Sequence, residues 1–346
     1  MAGAMPRLTW QAQTLALRTP FRLAYGVSQT RQSFWLRLAE DAGWGEAAIP
    51  PYYGISDESM IAFWQKMAQD TRPFPEDPAQ ISAWVGADGP SPARCGLDMA
   101  LHDRLGRQRG QPLWQLLDLP RPQPLPTSFT IGIDTPEEMA RLAEEARAFP
   151  VLKIKLGSDD DLTRLQAVRA ARPHARLLVD ATAGWTPQEA VAHIRAFAPL
   201  DLALVEQPVA KDDIAGMGYV QAHTDLPVVA DESLRTAADL EALAEVGVKG
   251  VCLKFQKLGG IGPTLGLLRR ARQLGMGVML GCMVETSLSV TAAAHLSGLA
   301  DWLDLDAPLL IANDPFRGVV YAADGTLHLS DRPGIGVDRS ADSPPT

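Results

Sequence analysis

The sequence predicts an α/β fold in which a (β/α)8-type barrel follows an N-terminal α+β capping domain. Three observations lead to this fold class. The chain has 346 residues, enough for about two domains. Short apolar runs alternate with amphipathic segments over its second half. A proline-rich link, LPRPQPLPT at 119–127, separates that half from a differently patterned first part. We assign 1–122 to the capping domain, with 318–346 joining it, and 123–317 to the barrel.

The N-terminal part predicts antiparallel strands and then a helix. Apolar and polar residues alternate over 8–17 and 34–38, and another short run surrounds Trp44, as in half-buried strands. From Ser91 onward, SPARCGLDMALHDRLG has apolar residues at helical spacing. Two glycines can end this helix, Gly106 and Gly110.

The second half contains eight runs of strand length, separated by seven helix-like connectors. One connector opens with Thr186-Pro187, a typical N-cap and first-turn pair. An open doubly wound sheet is the alternative, but the glycine-rich turn expected after its first strand is missing. The predicted strands lie at 128–132, 151–157, 176–180, 203–208, 227–231, 250–254, 277–281 and 302–306.

Composition limits the class of function. Hydrophobic residues make up 46% of the chain and charged residues 21%, as in ordinary globular proteins. The net charge of −9 argues against a nucleic-acid or anionic-membrane partner. With neither an apolar run of membrane length nor a signal-peptide pattern, we expect a cytoplasmic protein. The three cysteines, at 95, 252 and 282, form no CxxC pair, so disulfides and zinc knuckles are not expected.

Lysine is scarce, with 7 lysines against 25 arginines. Lysine can lose its proton near neutral pH when its pKa is lowered, whereas arginine stays protonated, so each remaining lysine is a candidate base. Four of them carry no further pattern and are interpreted as surface charges: Lys66, Lys211, Lys249 and Lys257.

Charged residues stand at the carboxyl ends of five successive predicted strands, the second to the sixth, spaced 23 to 26 residues apart, and again on the eighth strand. A single strand-end carboxylate is usually a helix cap or turn former, but a series on consecutive strands indicates a shared site at the barrel mouth. The series consists of Lys153 and Lys155, Asp180, Glu206, Asp231, Lys254, and Asp304 with Asp306.

Three carboxylates on neighbouring strands make an oxygen site that suits Mg²⁺. Zinc is not expected, because the six histidines show no HxH or HExxH spacing. Lys155 and Lys254 flank the carboxylates on opposite sides, which suits removal of a proton from one face of an α-carbon and its return on the other. Alternatively, the lysines only neutralise the carboxylates when metal is absent.

Several motifs together resemble the enolase superfamily, specifically the dipeptide epimerases of its muconate-lactonizing subgroup. The similarity covers nearly the whole chain. The matching motifs are GLDMALHDRLG (96–106), TIGIDTPEEM (130–139), KIK (153–155), DATAGW (180–185), EQP (206–208), ADES (230–233), LKFQKLGGIG (253–262), GCMVETSLSVTAAAH (281–295) and DLDAPLL (304–310).

The resemblance implies a role for each strand-end residue. Lys155 and Lys254 would be the acid/base pair, and Lys153 would stabilise the enolate charge. The ligands of one Mg²⁺ per subunit would be Asp180, Glu206 and Asp231. Glu232 adjoins the third ligand, but strand alternation predicts that only one of the two faces inward.

The resemblance also implies a substrate, an L,L-dipeptide epimerised at the α-carbon of its C-terminal residue through an enediolate. Asp304 and Asp306 would bind its α-ammonium group, and Tyr25 and Met283 would also contact it. The loop at 20–31 lacks the central arginine of Ala-Glu epimerases, which argues against Ala-Glu as the substrate. A homo-oligomer is expected.

Three other reactions of the superfamily remain open, namely N-acyl amino acid racemisation, muconate-type cycloisomerisation and syn-dehydration. A catalytically silent binding barrel is a further alternative from a different class of function.

Overall fold

The computed structural model describes residues 7–23, 26–48 and 53–340. Its first part contains an antiparallel sheet of β1 (Leu8–Leu23), β2 (Gly26–Leu38) and β3 (Trp44–Ala48), in that order. The alternating segments of the sequence fall within these strands. The sheet carries Glu46 on its last strand, which contacts the barrel as described below.

Four helices follow the sheet: α1 (Asp57–Ala68), α2 (Pro78–Val85), α3 (Ser91–Arg109) and α4 (Leu113–Leu116). Helix α3 ends at Gly110, whose φ of 65° is left-handed. It passes through Gly106, where an added Cβ would lie 2.6 Å from the Cα of Gly334. Gly106 therefore lies inside the helix and allows Gly334 to pack closely against it, whereas Gly110 ends the helix.

Eight parallel strands form the barrel sheet, hydrogen-bonded in sequence order. All eight predicted runs are confirmed. The ends of the sheet meet where Ser128 N donates to Leu303 O at 2.9 Å and Leu305 N donates to Thr127 Oγ1 at 2.7 Å. The strands are β4 (Phe129–Ile131), β5 (Val151–Lys155), β6 (Arg176–Asp180), β7 (Leu202–Glu206), β8 (Val228–Ala230), β9 (Gly250–Leu253), β10 (Gly277–Gly281) and β11 (Trp302–Asp304).

Helices connect these strands and surround the sheet. The predicted cap of α7 is confirmed, because Thr186 and Glu189 form a reciprocal capping box. The helices are α5 (Pro136–Glu145), α6 (Asp161–Ala171), α7 (Pro187–Phe197), α8 (Ile214–Ala222), α9 (Ala237–Glu245), α10 (Phe255–Leu258), α11 (Ile261–Gln273), α12 (Ser287–Ala294) and α13 (Ala307–Leu310). Among the described residues, none of the helices is long and apolar enough to cross a membrane.

The C-terminal segment forms two short strand pairs that lie against both parts of the chain. Ile335 N donates to Asp103 Oδ1 of α3 at 2.8 Å, and Ile335 O lies 3.1 Å from His295 Nε2. The strands are β12 (Phe316–Arg317), β13 (Val320–Tyr321), β14 (Leu327–His328) and β15 (Asp338–Arg339). The division of the chain at residues 122 and 317 stays a prediction.

A buried polar network joins the N-terminal sheet to the barrel. The Glu46 carboxylate accepts hydrogen bonds from Ser33 Oγ at 2.8 Å and from the backbone N and the hydroxyl of Thr286 at 3.0 and 2.6 Å. Gln256 extends the network, since its Oε1 accepts from Ala48 N at 3.0 Å. These contacts hold the N-terminal sheet against the loop that follows β10.

Replacing Glu46 by glutamine is expected to weaken the pH dependence of stability. Burial and the neighbouring Glu285 raise the pKa of Glu46 to about 8, against the lowering effect of Thr286 and Ser33. In the unfolded chain the pKa of a glutamate is about 4.3. Between these two values the folded state holds a proton that the unfolded state has lost, so the unfolding free energy falls as pH rises through this window.

Thermal unfolding measured from about pH 5 to about pH 9 checks this expectation. The wild type should lose more Tm over the range than Glu46→Gln does, by at least a few degrees. The exposed residue Glu76 supplies a matched control, because Glu76→Gln should leave the wild-type slope unchanged. Parallel curves for the wild type and Glu46→Gln would contradict the expectation.

Candidate active site

The register of the barrel brings the strand-end charges to one height. Lys155 pairs with Asp180 across β5 and β6, and Asp180 pairs with Glu206 across β6 and β7. Asp231 directly follows β8, and Lys254 directly follows β9. Because the carboxyl ends of parallel strands share one edge, these residues meet at the barrel mouth.

Lys153 is at the centre of these charged residues at the barrel mouth. Its Nζ lies 2.7 Å from Asp304 Oδ2, 2.7 Å from Glu206 Oε2 and 3.0 Å from Asp180 Oδ2. Burial disfavours its charge, but the three carboxylates outweigh burial and raise the pKa of Lys153 well above its usual value. Lys153 therefore remains a cation.

Lys155 and Lys254 contact different carboxylates. Lys155 Nζ donates to Asp180 Oδ2 at 2.5 Å, and Lys254 Nζ donates to Asp231 Oδ2 at 2.8 Å. Both lysines are buried. The acidic group thus has an amine at each of its two outer members, as the strand order predicts.

Asp180 and Asp231 are held ionised by these amines. Burial alone would raise the pKa of both carboxyls, but Lys155 and Lys153 lower the pKa of Asp180 far below its usual value. Lys254 and Lys257 do the same for Asp231. Thr182 adds two hydrogen bonds to Asp180 Oδ1, from its backbone N at 2.8 Å and its hydroxyl at 2.9 Å.

Glu206 differs from the other two carboxylates. It is fully buried; Lys153 Nζ lies 2.7 Å from its Oε2, and its Oε1 has no hydrogen-bond partner in the described part of the chain. Burial and the charge of Asp180 raise its pKa to about 7. A buried carboxylate that has one oxygen without a donor and lies beside two ionised carboxylates fits a divalent cation, because a cation would satisfy that oxygen and stabilise the charge.

Glu232 does not follow the predicted alternation. Strand β8 ends at Ala230, so neither Asp231 nor Glu232 belongs to a pleated strand. Glu232 is buried, and burial together with Asp231 and Asp180 raises its pKa to about 8. Strand alternation therefore does not apply to this pair, and the choice of Asp231 as the metal ligand stays a prediction.

Lys257 is the functional-site residue that sequence reasoning missed. Its interpretation as a surface charge is wrong, because the side chain is 0% exposed. Its Nζ donates to Asp231 Oδ1 at 2.7 Å and to Cys252 O at 3.0 Å. The available signal was the spacing in LKFQK, since Lys254 stands at the N-cap position of α10 and a residue three positions later returns to the same side. The other three lysines interpreted as surface charges are exposed or half-buried.

Asp304 and Asp306 lie on the opposite side of Lys153 from the metal-binding candidates. Asp304 accepts from Ser128 Oγ at 2.8 Å as well as from Lys153. Asp306 Oδ2 accepts from Thr130 N at 2.7 Å, and burial with the charge of Asp304 raises its pKa to about 7. Two carboxyls close together and next to the acidic group can bind an ammonium group.

Two further site predictions concern the loops. Met283 is half-buried in the loop after β10, where its backbone N donates to Glu285 Oε1 at 2.6 Å. Tyr25 lies outside the described residues, and its role stays a prediction.

Comparisons with known proteins agree with this geometry. Residues 7–118 match the family described as mandelate racemase / muconate lactonizing enzyme, N-terminal domain, and 137–343 match the enolase C-terminal domain-like family. An L-Ala-D/L-Glu epimerase from Bacteroides thetaiotaomicron is 34% identical over 97% of this chain and 88% of its own.

Two solved structures are similarly close. The substrate-liganded L-Ala-D/L-Glu epimerase from Bacillus subtilis has a TM-score of 0.89 at 33% identity, covering 97% of this chain and 99% of that one. The dipeptide epimerase from Enterococcus faecalis, complexed with Mg and L-Leu-L-Tyr, has a TM-score of 0.89 at 30% identity, covering 96% and 99%.

Proposed function

The chain belongs to the mandelate racemase/muconate lactonizing enzyme family, and from this membership we propose that it is a dipeptide epimerase, an isomerase that inverts the α-carbon of a dipeptide's C-terminal residue. The observation that carries the proposal is the placement of Lys155 and Lys254. They bind Asp180 and Asp231, the two outer carboxylates of one buried acidic group. Amines on two sides of a substrate site allow a proton to leave one face and return to the other.

The acidic group would hold the metal. Family members of this kind bind a divalent cation, and we propose Mg²⁺, one per subunit, on Asp180, Glu206 and Asp231. When bound, Mg²⁺ supplies positive charge that favours the enolate form of the substrate carboxylate. The unpartnered Oε1 of Glu206 supports this assignment within the chain itself.

Each lysine would have a separate task. Lys155 or Lys254, in its neutral form, takes the α-proton of the C-terminal residue. Negative charge then moves onto the carboxylate oxygens, giving an enediolate, and the cation of Lys153 stabilises it. The opposite lysine donates its proton to the other face, which inverts the α-carbon.

Substrate binding would rest on Asp304 and Asp306. Their position beside Lys153 supports binding of the dipeptide's α-ammonium next to the reacting carboxylate. Tyr25 and Met283 are proposed to contact the side chains of the substrate. We keep the cytoplasmic location and the homo-oligomeric assembly as proposals.

Incubation with dipeptides in D₂O tests the proposed function. The protein, supplied with Mg²⁺, is mixed with a panel of L,L-dipeptides that includes L-Ala-L-Glu and L-Leu-L-Tyr, and mass spectrometry measures deuterium uptake. At least one dipeptide should gain one deuterium at the C-terminal α-carbon and yield its L,D epimer.

A matched panel of N-acyl amino acids separates the main rival reaction. These compounds lack the ammonium that Asp304 and Asp306 would bind, so we expect no exchange with them. Exchange with N-acyl amino acids alone would favour a racemase. Exchange with no compound in either panel would contradict both enzymatic proposals and favour the silent barrel.

A further inference from the structure

Cys252 lies directly beside the acidic group, inside the barrel. It is on β9, two residues before Lys254, and both side chains pack against Gly281 of β10, where an added Cβ would lie 2.8 Å from Cys252 Sγ and 2.9 Å from Lys254 Cε. Cys252 is 0% exposed and belongs to the barrel's interior cluster. Its Sγ and one carboxylate oxygen each of Glu206 and Asp231 lie within 4.8 Å of one another.

Glu206 supplies an independent indication of a ligand at this point. The residue is 0% exposed, and although Lys153 Nζ lies 2.7 Å from its Oε2, its Oε1 accepts no hydrogen bond from the described residues. A bound cation that reached this Oε1 would stabilise the buried carboxylate. The donors around it differ in kind, since Asp180 and Asp231 offer hard oxygens and Cys252 offers a soft sulfur.

We propose that Glu206, Asp231 and Cys252 form a second metal position, selective for a thiophilic divalent cation such as Cd²⁺ or Zn²⁺. On binding, the S–H bond breaks, a metal–sulfur bond forms and one proton leaves to solvent. No oxidant or reductant is involved. Mg²⁺ gains little from the sulfur and binds through the carboxylates alone.

This position overlaps the Mg²⁺ site of the proposed function, because Glu206 and Asp231 belong to both. The two cations therefore exclude each other. A thiophilic cation should act as an inhibitor that competes with Mg²⁺, and it should bind whether or not the chain has epimerase activity.

Cd²⁺ titration of the metal-free protein tests the proposal through the ultraviolet sulfur-to-cadmium charge-transfer absorption. The wild type should develop this band with one Cd²⁺ per chain, and added Mg²⁺ should reverse it. Cys252→Ser should lose the band and bind Cd²⁺ at least tenfold more weakly, while its Mg²⁺ affinity stays within about twofold. Cys252→Ala serves as a second variant should the serine variant fail to fold.

Two matched variants locate the sulfur. Cys95→Ser in α3 and Cys282→Ser after β10 should both keep the band, because neither thiol belongs to the proposed ligand set. A band that persists in Cys252→Ser, disappears in Cys282→Ser or Cys95→Ser, or is missing from the wild type would overturn the proposal. The readout needs no dipeptide, so failure of the epimerase proposal would leave this result interpretable.

Discussion

Replacing Lys254 by alanine is expected to lower the rate of epimerisation by about 10³-fold or more. Exchange of the α-proton should persist with one of the two epimers. In the Lys254→Ala variant, Lys155 can still remove a proton from the face it reaches and return a deuteron to that face. Lys155→Ala should show the opposite preference. NMR in D₂O, started separately from the L,L and the L,D epimer, measures both exchange and inversion.

Two controls separate catalysis from charge. Lys155→Arg and Lys254→Arg keep a cation beside Asp180 and Asp231 but stay protonated, so they should be as inactive in inversion as the alanine variants. The exposed residue Lys66 offers a control outside the site, and Lys66→Ala should retain wild-type rates. Loss of exchange with the same epimer in both alanine variants would rule out a two-base mechanism.

Replacing Lys257 by methionine is expected to cost about 3–5 kcal/mol of unfolding free energy in the metal-free protein. The variant removes a buried cation and leaves Asp231 Oδ1 without its donor at 2.7 Å. Added Mg²⁺ should restore part of the loss, because it supplies positive charge to the same carboxylate. Urea unfolding with a chelator and with Mg²⁺ measures both values.

Lys249 provides the matched control for this variant. It is also a lysine near β9, but it is exposed and its Nζ donates to the backbone oxygen of Asp225 at 3.2 Å. Lys249→Met should change the unfolding free energy by less than about 0.5 kcal/mol. Equal stability of the two variants would show that the contact of Lys257 with Asp231 contributes nothing.

Local patterns were sufficient to locate most of the fold. The eight barrel strands are short apolar runs bounded by turn residues, and their positions follow from the chain itself. Boundaries that depend on neighbours were less certain. The choice between Gly106 and Gly110 as the end of α3 required Gly334, which lies more than two hundred residues away.

The candidate site was predictable to the extent that it depends on strand order. Parallel strands place their carboxyl ends at one edge, so a charge at each strand end implies one site. Strand alternation gives no guide where the chain leaves the strand. Glu232 follows β8 and Lys257 lies in a short helix after β9, and neither position obeys the alternation of a strand.

The sequence by itself determined the barrel, the order of the charged residues around its mouth and the two lysines on either side of three carboxylates. The tertiary structure alone decided which groups touch. Lys153 meets Asp304 because the barrel closes, and Glu46 meets Thr286 because the N-terminal sheet docks on it. Such contacts join residues 151 and 240 positions apart, and their distances depend on how whole elements pack, which local periodicity does not encode.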